Sequence, residues 1–283
     1  MLPRSHNDIA WAFGVIALEA GCSILAARTQ GTDATPKADG SPVTAADLAA
    51  DSLIRRRLPG VLPDTLVITE ETFSASQAAN LPPRFVLVDP LDGTREFIAG
   101  RDEFTVNIAL VESDKPVAGA IYAPAMSCLY VAGTEAFRAD ISADAAMPRF
   151  DAMQKLATSP IPKSGMRAAA SRSHLDPATK QWLSDRRITG LCSIGSSLKF
   201  CKIAEGEADV YPRLAPTMEW DTAAGQAILL AAGGCVTNLD GSPLRYGKTG
   251  THFRNGSFVA WGQPPAQRCK RRGREGLTGC PET

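Results

Sequence analysis

The chain has no excess of charge of either sign: Lys plus Arg and Asp plus Glu stand at 30 each in 283 residues. Nothing in that balance would hold it to duplex nucleic acid or to an anionic membrane, so any anion it binds must be captured locally. Cysteine is present without pattern. The seven (Cys22, Cys128, Cys192, Cys201, Cys235, Cys269 and Cys280) are odd in number, scattered and nowhere in a two-residue spacing. That argues against a zinc cluster and a disulfide framework, and makes a reducing cytoplasm the simplest home. Long apolar runs are missing as well. Ile9 to Leu18 is interrupted by Glu19, far short of the ~20 residues that span a bilayer. No basic segment or small-residue cleavage site frames it, so no signal peptide is expected. Arg4 and Arg28 are the only strong cations near it, which leaves peripheral association with the inner membrane as the minor alternative to a core helix. No internal repeat is present.

With 44% hydrophobic residues the chain can bury a full core as one large domain or two modest ones. Ile9, Phe13, Ile16, Ala17, Ala20 and Ile24 fall at helical spacing and predict an amphipathic helix against the core. Gly31 to Pro42 reads as a loop, and Thr44-Ala-Ala-Asp47 as a capping box opening a helix that Pro59-Gly60 ends. Strand-like runs follow at 66–68, 85–88, 105–111, 117–122 and 129–131. The second half alternates, with strands near 167–170, 190–194 and 209–211 and helices near 176–185, 197–205 and 222–232. We therefore expect an α+β protein with a unit at 1–155, a second at 156–262, and a boundary in the Pro-rich stretch 143–164. From Gln263 to Thr283 the chain turns to Pro, Gly, Arg and Lys and predicts a disordered basic tail.

The chemistry concentrates in Phe85-Val-Leu-Val-Asp89-Pro90-Leu91-Asp92-Gly93-Thr94, where an apolar strand runs into two carboxylates. Pro90 cannot donate to a sheet ladder, so the strand is expected to stop there. Gly93 permits close backbone approach, and Arg95 to Ile98 predicts a helix whose free amides face an anion. Carboxylates, a hydroxyl and amides at one strand end suit a divalent metal and a phosphate. Glu70-Glu71 follow the run 66–68 and so lie at another strand end. Taken alone, Asp-Pro and Asp-Gly are common turn formers and Asp221 would be an ordinary helix cap.

The whole phrase Val88 to Thr94 resembles the first signature of the inositol monophosphatase superfamily, and Trp220-Asp221-Thr222-Ala223-Ala224-Gly225 resembles its second, about 130 residues on. Two separate matches in the expected order multiply their odds. Further runs, Arg95 to Ile98, Glu103-Phe104-Thr105-Val106-Asn107-Ile108-Ala109, Ala170-Ser171-Arg172-Ser173-His174 and Gly195-Ser196-Ser197-Leu198-Lys199-Phe200-Cys201, are most similar to its CysQ branch, the 3'(2'),5'-bisphosphate nucleotidases. The likeness runs from the N-terminal helix to about Gly262 and implies a layered α/β/α/β/α sandwich.

It also implies roles. Glu70, Asp89 and the Leu91 carbonyl would hold one Mg²⁺, and Asp89, Asp92 and Asp221 a second, with a third ion as an upper limit. Gly93 and Thr94 would offer amides to phosphate, and Thr94 with Asp47 would orient the attacking water. Asp47 is contested, because a carboxylate that caps a helix is less free to serve Thr94. Ser173, His174, Ser196, Lys199 and Arg213 would line the substrate side. Arg213 stands where inositol-selective relatives carry a Glu, which favours a second anion over a polyol. The resemblance thus implies a Mg²⁺-dependent, Li⁺-sensitive hydrolase of adenosine 3',5'-bisphosphate tied to sulfate assimilation. It would work on a small-molecule nucleotide, without nucleic acid or an integral membrane segment, as a monomer or homodimer. An inositol or sugar phosphatase, and a silent nucleotide binder on the same scaffold, are the alternatives.

Overall fold

The computed structural model describes residues 5–36, 42–171 and 175–263; the expected tail and Arg172, Ser173 and His174 lie outside the described residues. Helix α1 (His6–Gln30) starts at Ser5, whose hydroxyl accepts from the Asp8 amide in a reciprocal capping box. The six residues that the periodicity marks, Ile9 to Ile24, are all buried. α1 is long and apolar enough by composition to cross a bilayer; here its apolar side is spent on the core. The segment read as a loop carries a small hairpin, β1 (Ala34–Pro36) with β2 (Pro42–Thr44). Next comes α2 (Ala45–Arg57), capped by Thr44 as expected.

A seven-stranded sheet follows in chain order: β3 (Leu66–Thr69), β4 (Arg84–Asp92), β5 (Thr105–Glu112), β6 (Lys115–Ala123), β7 (Cys128–Ala132), β8 (Ala136–Asp140) and β9 (Gln154–Lys155). β3 and β4 are parallel and the rest antiparallel. Two short helices, α3 (Ala75–Ala78) and α4 (Thr94–Ile98), interrupt the succession. The second half builds a five-stranded mixed sheet from β10 (Met166–Ala170), β11 (Ile188–Ser193), β12 (Val210–Arg213), β14 (Cys235–Asn238) and β16 (Phe258–Trp261), in the order β11-β10-β12-β16-β14. A short ribbon pairs β13 (Thr217–Met218) with β15 (Arg254–Asn255). The helices are α5 (Pro177–Ser184), α6 (Leu198–Ala204) and α7 (Ala223–Ala231). The strands 136–140, 235–238 and 258–261 escape a reading by periodicity, being short and not cleanly alternating.

The period-2 geometry of a strand sorts the core into layers. On β4, Val86 and Val88 join an apolar cluster with α1 and α2, while Phe85 and Leu87 join one with α6 and α7. That second cluster also takes Ala169, Tyr211, Val236, Phe258 and Ala260 from the smaller sheet. On the sheet's outer face Ala168, Ala170, Val210 and Val259 pack with Trp182 and Leu183 of α5. The order is helices, sheet, helices, sheet, helix, the layered α+β sandwich expected from the sequence.

The strand end at Pro90 needs correction. β4 continues through it to Asp92, with a register shift between Asp89, opposite Asn107, and Asp92, opposite Thr105. Three steps on β4 face two on β5, so this is a bulge. The donor-less Pro90 falls in its unpaired stretch, where no ladder bond is lost. α7 then sits tight on the sheet's inner face: a Cβ added at Gly119 of β6 would lie 3.0 Å from the Ala224 carbonyl oxygen and 3.1 Å from its Cα. Because backbone cannot step aside as a side chain can, Gly119→Val should destabilise the protein by about 1–3 kcal/mol in urea unfolding at unchanged slope. A change under about 0.5 kcal/mol would show that α7 is not held against β6.

Candidate active site

The site forms where both sheets turn the carboxyl ends of parallel strands toward one cavity, the usual place for ligands in open sheets. Glu70 directly follows β3, and its amide donates to the Val88 carbonyl at 3.1 Å, which sets it beside Asp89 on β4. The bulge then presents Leu91 and Asp92 in a different register from the strand before them. Gly93 takes φ of 94°, and a Cβ there would lie 3.0 Å from the Glu103 carbonyl oxygen, so the turn into α4 calls for glycine. From the other sheet come Arg213 at the end of β12 and Ser196, Ser197 and Lys199 around the start of α6, while Asp221 sits just before α7. These residues line a cavity of about 430 Å³ together with Phe73, Tyr211, Met218 and Trp220.

Carboxylate oxygens of Glu70, Asp89 and Asp221 lie within 4.8 Å of one another. Burial, with Glu70, Asp92 and Asp221 close by, pushes the Asp89 carboxyl well above its ordinary range. Burial and then the charges of Asp92 and Glu70 push Asp221 up to about 7, against hydrogen bonds from the Thr217 hydroxyl and the Met218 amide. Such a crowd of hard oxygens fits Mg²⁺, whose charge offsets the repulsion. Asp92 is the member held differently: its Oδ2 accepts from Ser196 Oγ and the Ser197 amide, both at 2.6 Å. Asp221 is not the helix cap; that position belongs to Thr222.

Asp47 resolves the conflict read in its sequence. It is 1% exposed, and its two oxygens divide the work. Oδ2 accepts from the Thr44 amide at 2.8 Å and the Thr44 hydroxyl at 2.6 Å, while Oδ1 accepts from Thr94 Oγ1 at 3.1 Å. The cap therefore orients the carboxylate for Thr94 instead of consuming it. Thr94 Oγ1 also lies 3.1 Å from the Leu91 carbonyl oxygen, a competing acceptor for one proton.

Lys199 is 3% exposed and its ammonium donates to the Ser196 carbonyl, 5.3 Å from the Tyr211 ring centroid. Burial lowers its pKa to about 8, with Asp92 acting in the opposite sense and Arg213 in the same one. The Arg213 guanidinium is braced by the carbonyls of Ala215 and Pro216 at 3.3 and 3.4 Å. Of the residues expected at the site, the structure brings together Asp47, Glu70, Asp89, Leu91, Asp92, Gly93, Thr94, Ser196, Lys199, Arg213 and Asp221. Sequence reasoning passed over Thr217, which holds Asp221, and Thr105, Asn107 and Ser197, which lie behind Asp92. Thr105 and Asn107 lay within a quoted run but carried no chemical signal of their own.

The family described as the inositol monophosphatase family matches residues 6–270. The 3'(2'),5'-bisphosphate nucleotidase CysQ of Escherichia coli (strain K12) is 42% identical over 234 residues, 82% of this chain and 91% of the relative. Its counterpart from Salmonella typhimurium is 44% identical over 74% of this chain and 81% of the relative. Among solved structures, CysQ from Bacteroides thetaiotaomicron aligns with a TM-score of 0.77 at 38% identity, covering 90% of this chain and 97% of that one. The Thermotoga maritima IMPase shares the fold at a TM-score of 0.69 and 21% identity, over 87% and 89% of the two chains.

The crowded carboxylates make a stability prediction whose sign is opposite to that of a salt-bridged acid. A group whose pKa rises from 3.8 to about 7 on folding gives up its proton more easily when unfolded. Stability is therefore greatest below the unfolded value and is lost as pH rises toward the folded one. Chelator-treated protein should lose stability between about pH 4 and pH 7, with a slope of up to about 1.4 kcal/mol per pH unit from Asp221. Asp89→Asn should flatten that slope, and Mg²⁺ should restore more stability at pH 7 than at pH 5. Scanning calorimetry at both pH values, with and without Mg²⁺, reads this directly; equal stabilisation at the two would refute the crowding argument.

Proposed function

The chain belongs to the inositol monophosphatase family, and within it we propose a Mg²⁺-dependent 3'(2'),5'-bisphosphate nucleotidase that converts adenosine 3',5'-bisphosphate to AMP and phosphate. PAPS is a second candidate substrate, and removal of adenosine 3',5'-bisphosphate would serve sulfate assimilation. The observation that carries the reading is the sharing of one cavity by three clustered carboxylates and two cations, the buried Lys199 and the half-buried Arg213. A polyol is best held by acceptors, whereas two cations braced by backbone carbonyls call for a second anion beside the one being cleaved. The CysQ relatives at 42 and 44% identity support the same assignment.

In this reading residues 1–155 supply most of the ligands and residues 156–262 supply Asp221 and the cations. Glu70, Asp89 and the Leu91 carbonyl would hold one Mg²⁺ and Asp89, Asp92 and Asp221 another, with a third ion as the limit. Bound there, Mg²⁺ supplies positive charge to the phosphoryl oxygens and makes a neighbouring water more acidic. The remaining work falls to the chain. Thr94 Oγ1, donating to Asp47 Oδ1, keeps its lone pairs for a water proton, so water is oriented toward phosphorus and its proton can pass through the hydroxyl to Asp47. Asp47 cannot swing away, because Thr44 holds its other oxygen. The amides of Gly93 and Thr94 would take phosphoryl oxygen as the P–O3' bond breaks, and Lys199 and Arg213 would hold the 5'-phosphate so that the 3'-phosphate meets the carboxylates.

The assignment is tested by Mg²⁺-dependent phosphate release from adenosine 3',5'-bisphosphate, inositol 1-phosphate and fructose 1,6-bisphosphate under identical conditions, where the first should be preferred. Thr94→Val should lower kcat by about two to four orders of magnitude with a smaller change in KM, and Asp47→Asn should match it without further loss in the double variant. Strictly additive losses would separate the two residues.

Specificity is tested at Arg213. A charge-assisted bond of about 1.5–3 kcal/mol lost in Arg213→Ala would cost roughly one to two decades in kcat/KM for the bisphosphate, and little for a nucleoside monophosphate lacking the second group. Preference for inositol 1-phosphate, or an equal loss on both substrates, would move the protein to the inositol or sugar phosphatase class.

A further inference from the structure

Beside Asp92, where Ser196 and Ser197 line the cavity, four side chains from two strand–turn segments meet, all but the half-buried Ser196 shielded from solvent. Thr105 and Asn107 stand on β5 and are 0% and 1% exposed; Ser197 precedes α6 and is 3% exposed. Ser197 Oγ donates to Asn107 Oδ1 at 2.7 Å, Thr105 Oγ1 donates to the same oxygen at 3.2 Å, and the two hydroxyls lie 2.9 Å apart. Thr105 Oγ1 also meets Ser196 Oγ. The Ser196 hydroxyl and the Ser197 amide are in turn the donors that fix Asp92 Oδ2. Ser196 holds a left-handed backbone, φ 53°, unusual for a non-glycine residue and in need of support from its surroundings.

The other end of the same amide is open. Asn107 Nδ2 is buried without a hydrogen-bond partner among the described residues. A buried unpaired donor is costly, so its presence needs a reason. Asn107 pairs in register with Asp89 across β4 and β5, so the two side chains share one face of the sheet. Flipping the amide would set a carbonyl oxygen toward that face, which already carries an anion too many. As the amide stands, the atom left unpaired on that face is a donor.

We propose that Asn107 is a positioning residue of the phosphatase site. Through Oδ1 it anchors the Thr105–Ser196–Ser197 hydroxyls that aim the Asp92 carboxylate, and through Nδ2 it offers a fixed partial positive charge on the Asp89 face. It touches neither substrate nor metal. The inference rests on the metal reading above and deepens it, since it makes the Mg²⁺ affinity of the site depend on a residue outside the cavity.

The test uses the full chain. Calorimetric titration of Mg²⁺ into chelator-treated protein measures binding without turnover, and phosphate release gives kcat and KM. Asn107→Leu, close in volume, removes both ends of the amide. It should weaken Mg²⁺ binding by about 10–100-fold, the scale for losing a partner that orients a metal ligand, and lower kcat while KM for the bisphosphate moves less than threefold. Ser197→Ala removes the anchor from the other side and keeps the proposal testable if Asn107→Leu fails to fold. It should weaken Mg²⁺ binding in the same direction, and where both fold, the double variant should lose no more than the worse single one. Folded variants with wild-type Mg²⁺ affinity and kcat would overturn the proposal, as would losses confined to KM. Absence of Mg²⁺ binding by the wild-type protein would overturn the metal reading itself and this inference with it.

Discussion

Mutual repulsion among carboxylates is the constraint around which this molecule is arranged. Glu70, Asp89 and Asp221 bring oxygens within 4.8 Å of one another, with Asp92 near enough to raise the proton affinity of two of them. No local sequence preference would gather them, because every pairwise term among the ionised forms is unfavourable. They stay together because each is fixed by something stronger than the repulsion. Glu70 and Asp89 ride on a parallel strand pair, Asp92 on a bulge, and Asp221 on a turn clasped by Thr217 and Met218. The fold thus gathers electrostatic repulsion in one place, where a divalent cation would relieve it.

The same economy appears in the polar groups around them, where single side chains serve two needs through different atoms. Asp47 caps α2 with Oδ2 and holds Thr94 with Oδ1. Helix start and the Asp47–Thr94 pair are one structure, so the second is as rigid as the first. Near Asp221 in the chain Glu219, fully buried, accepts from the amides of Gly247 and Lys248 at 2.7 and 2.9 Å and from the Lys248 ammonium at 3.2 Å. Lys248 also bonds Asn255, whose amide reaches the Thr222 hydroxyl at 2.9 Å. That clasp pins the residues either side of Asp221 and keeps a buried charge paired, the condition under which burial is tolerable.

Much of this was legible in the sequence, and the reason is local. The N-terminal helix, the Thr44 cap and the strands of the larger sheet declare themselves through periodicity and capping chemistry within a few residues. The two signatures around Asp89 and Asp221 are contiguous phrases. What stayed hidden depends on contacts remote in sequence. The capping box at Asp47 reads as a competitor of Thr94 because sequence does not assign roles to separate oxygens of one carboxylate. Pro90 reads as a strand terminator because a bulge is defined only against the partner strand, here the offset from Asn107 to Thr105. β14 and β16 are short, and β16, which pairs with β14 on one side, pairs on the other with β12 more than 40 residues back in the chain. Thr105 and Asn107 look like ordinary strand residues until Ser197 is placed beside them.

The layered architecture explains why these separate decisions can be held to a fraction of an ångström. α6 and α7 lie between the two sheets, and their cluster takes apolar side chains from both, from Phe85 and Leu87 on one side to Tyr211 and Phe258 on the other. Phe200 of α6 stacks on Phe258 with ring centroids 5.9 Å apart and meets Tyr211 edge-on at 5.3 Å. One residue before it in the chain is Lys199, and ahead of that stand the serines that hold Asp92. Interiors packed at crystal density transmit displacement poorly except as a unit. Seating Phe200 in the shared core therefore fixes where the cation and the serines emerge into the cavity. The distance between the carboxylates around β4 and the cations Lys199 and Arg213 is set by dry packing.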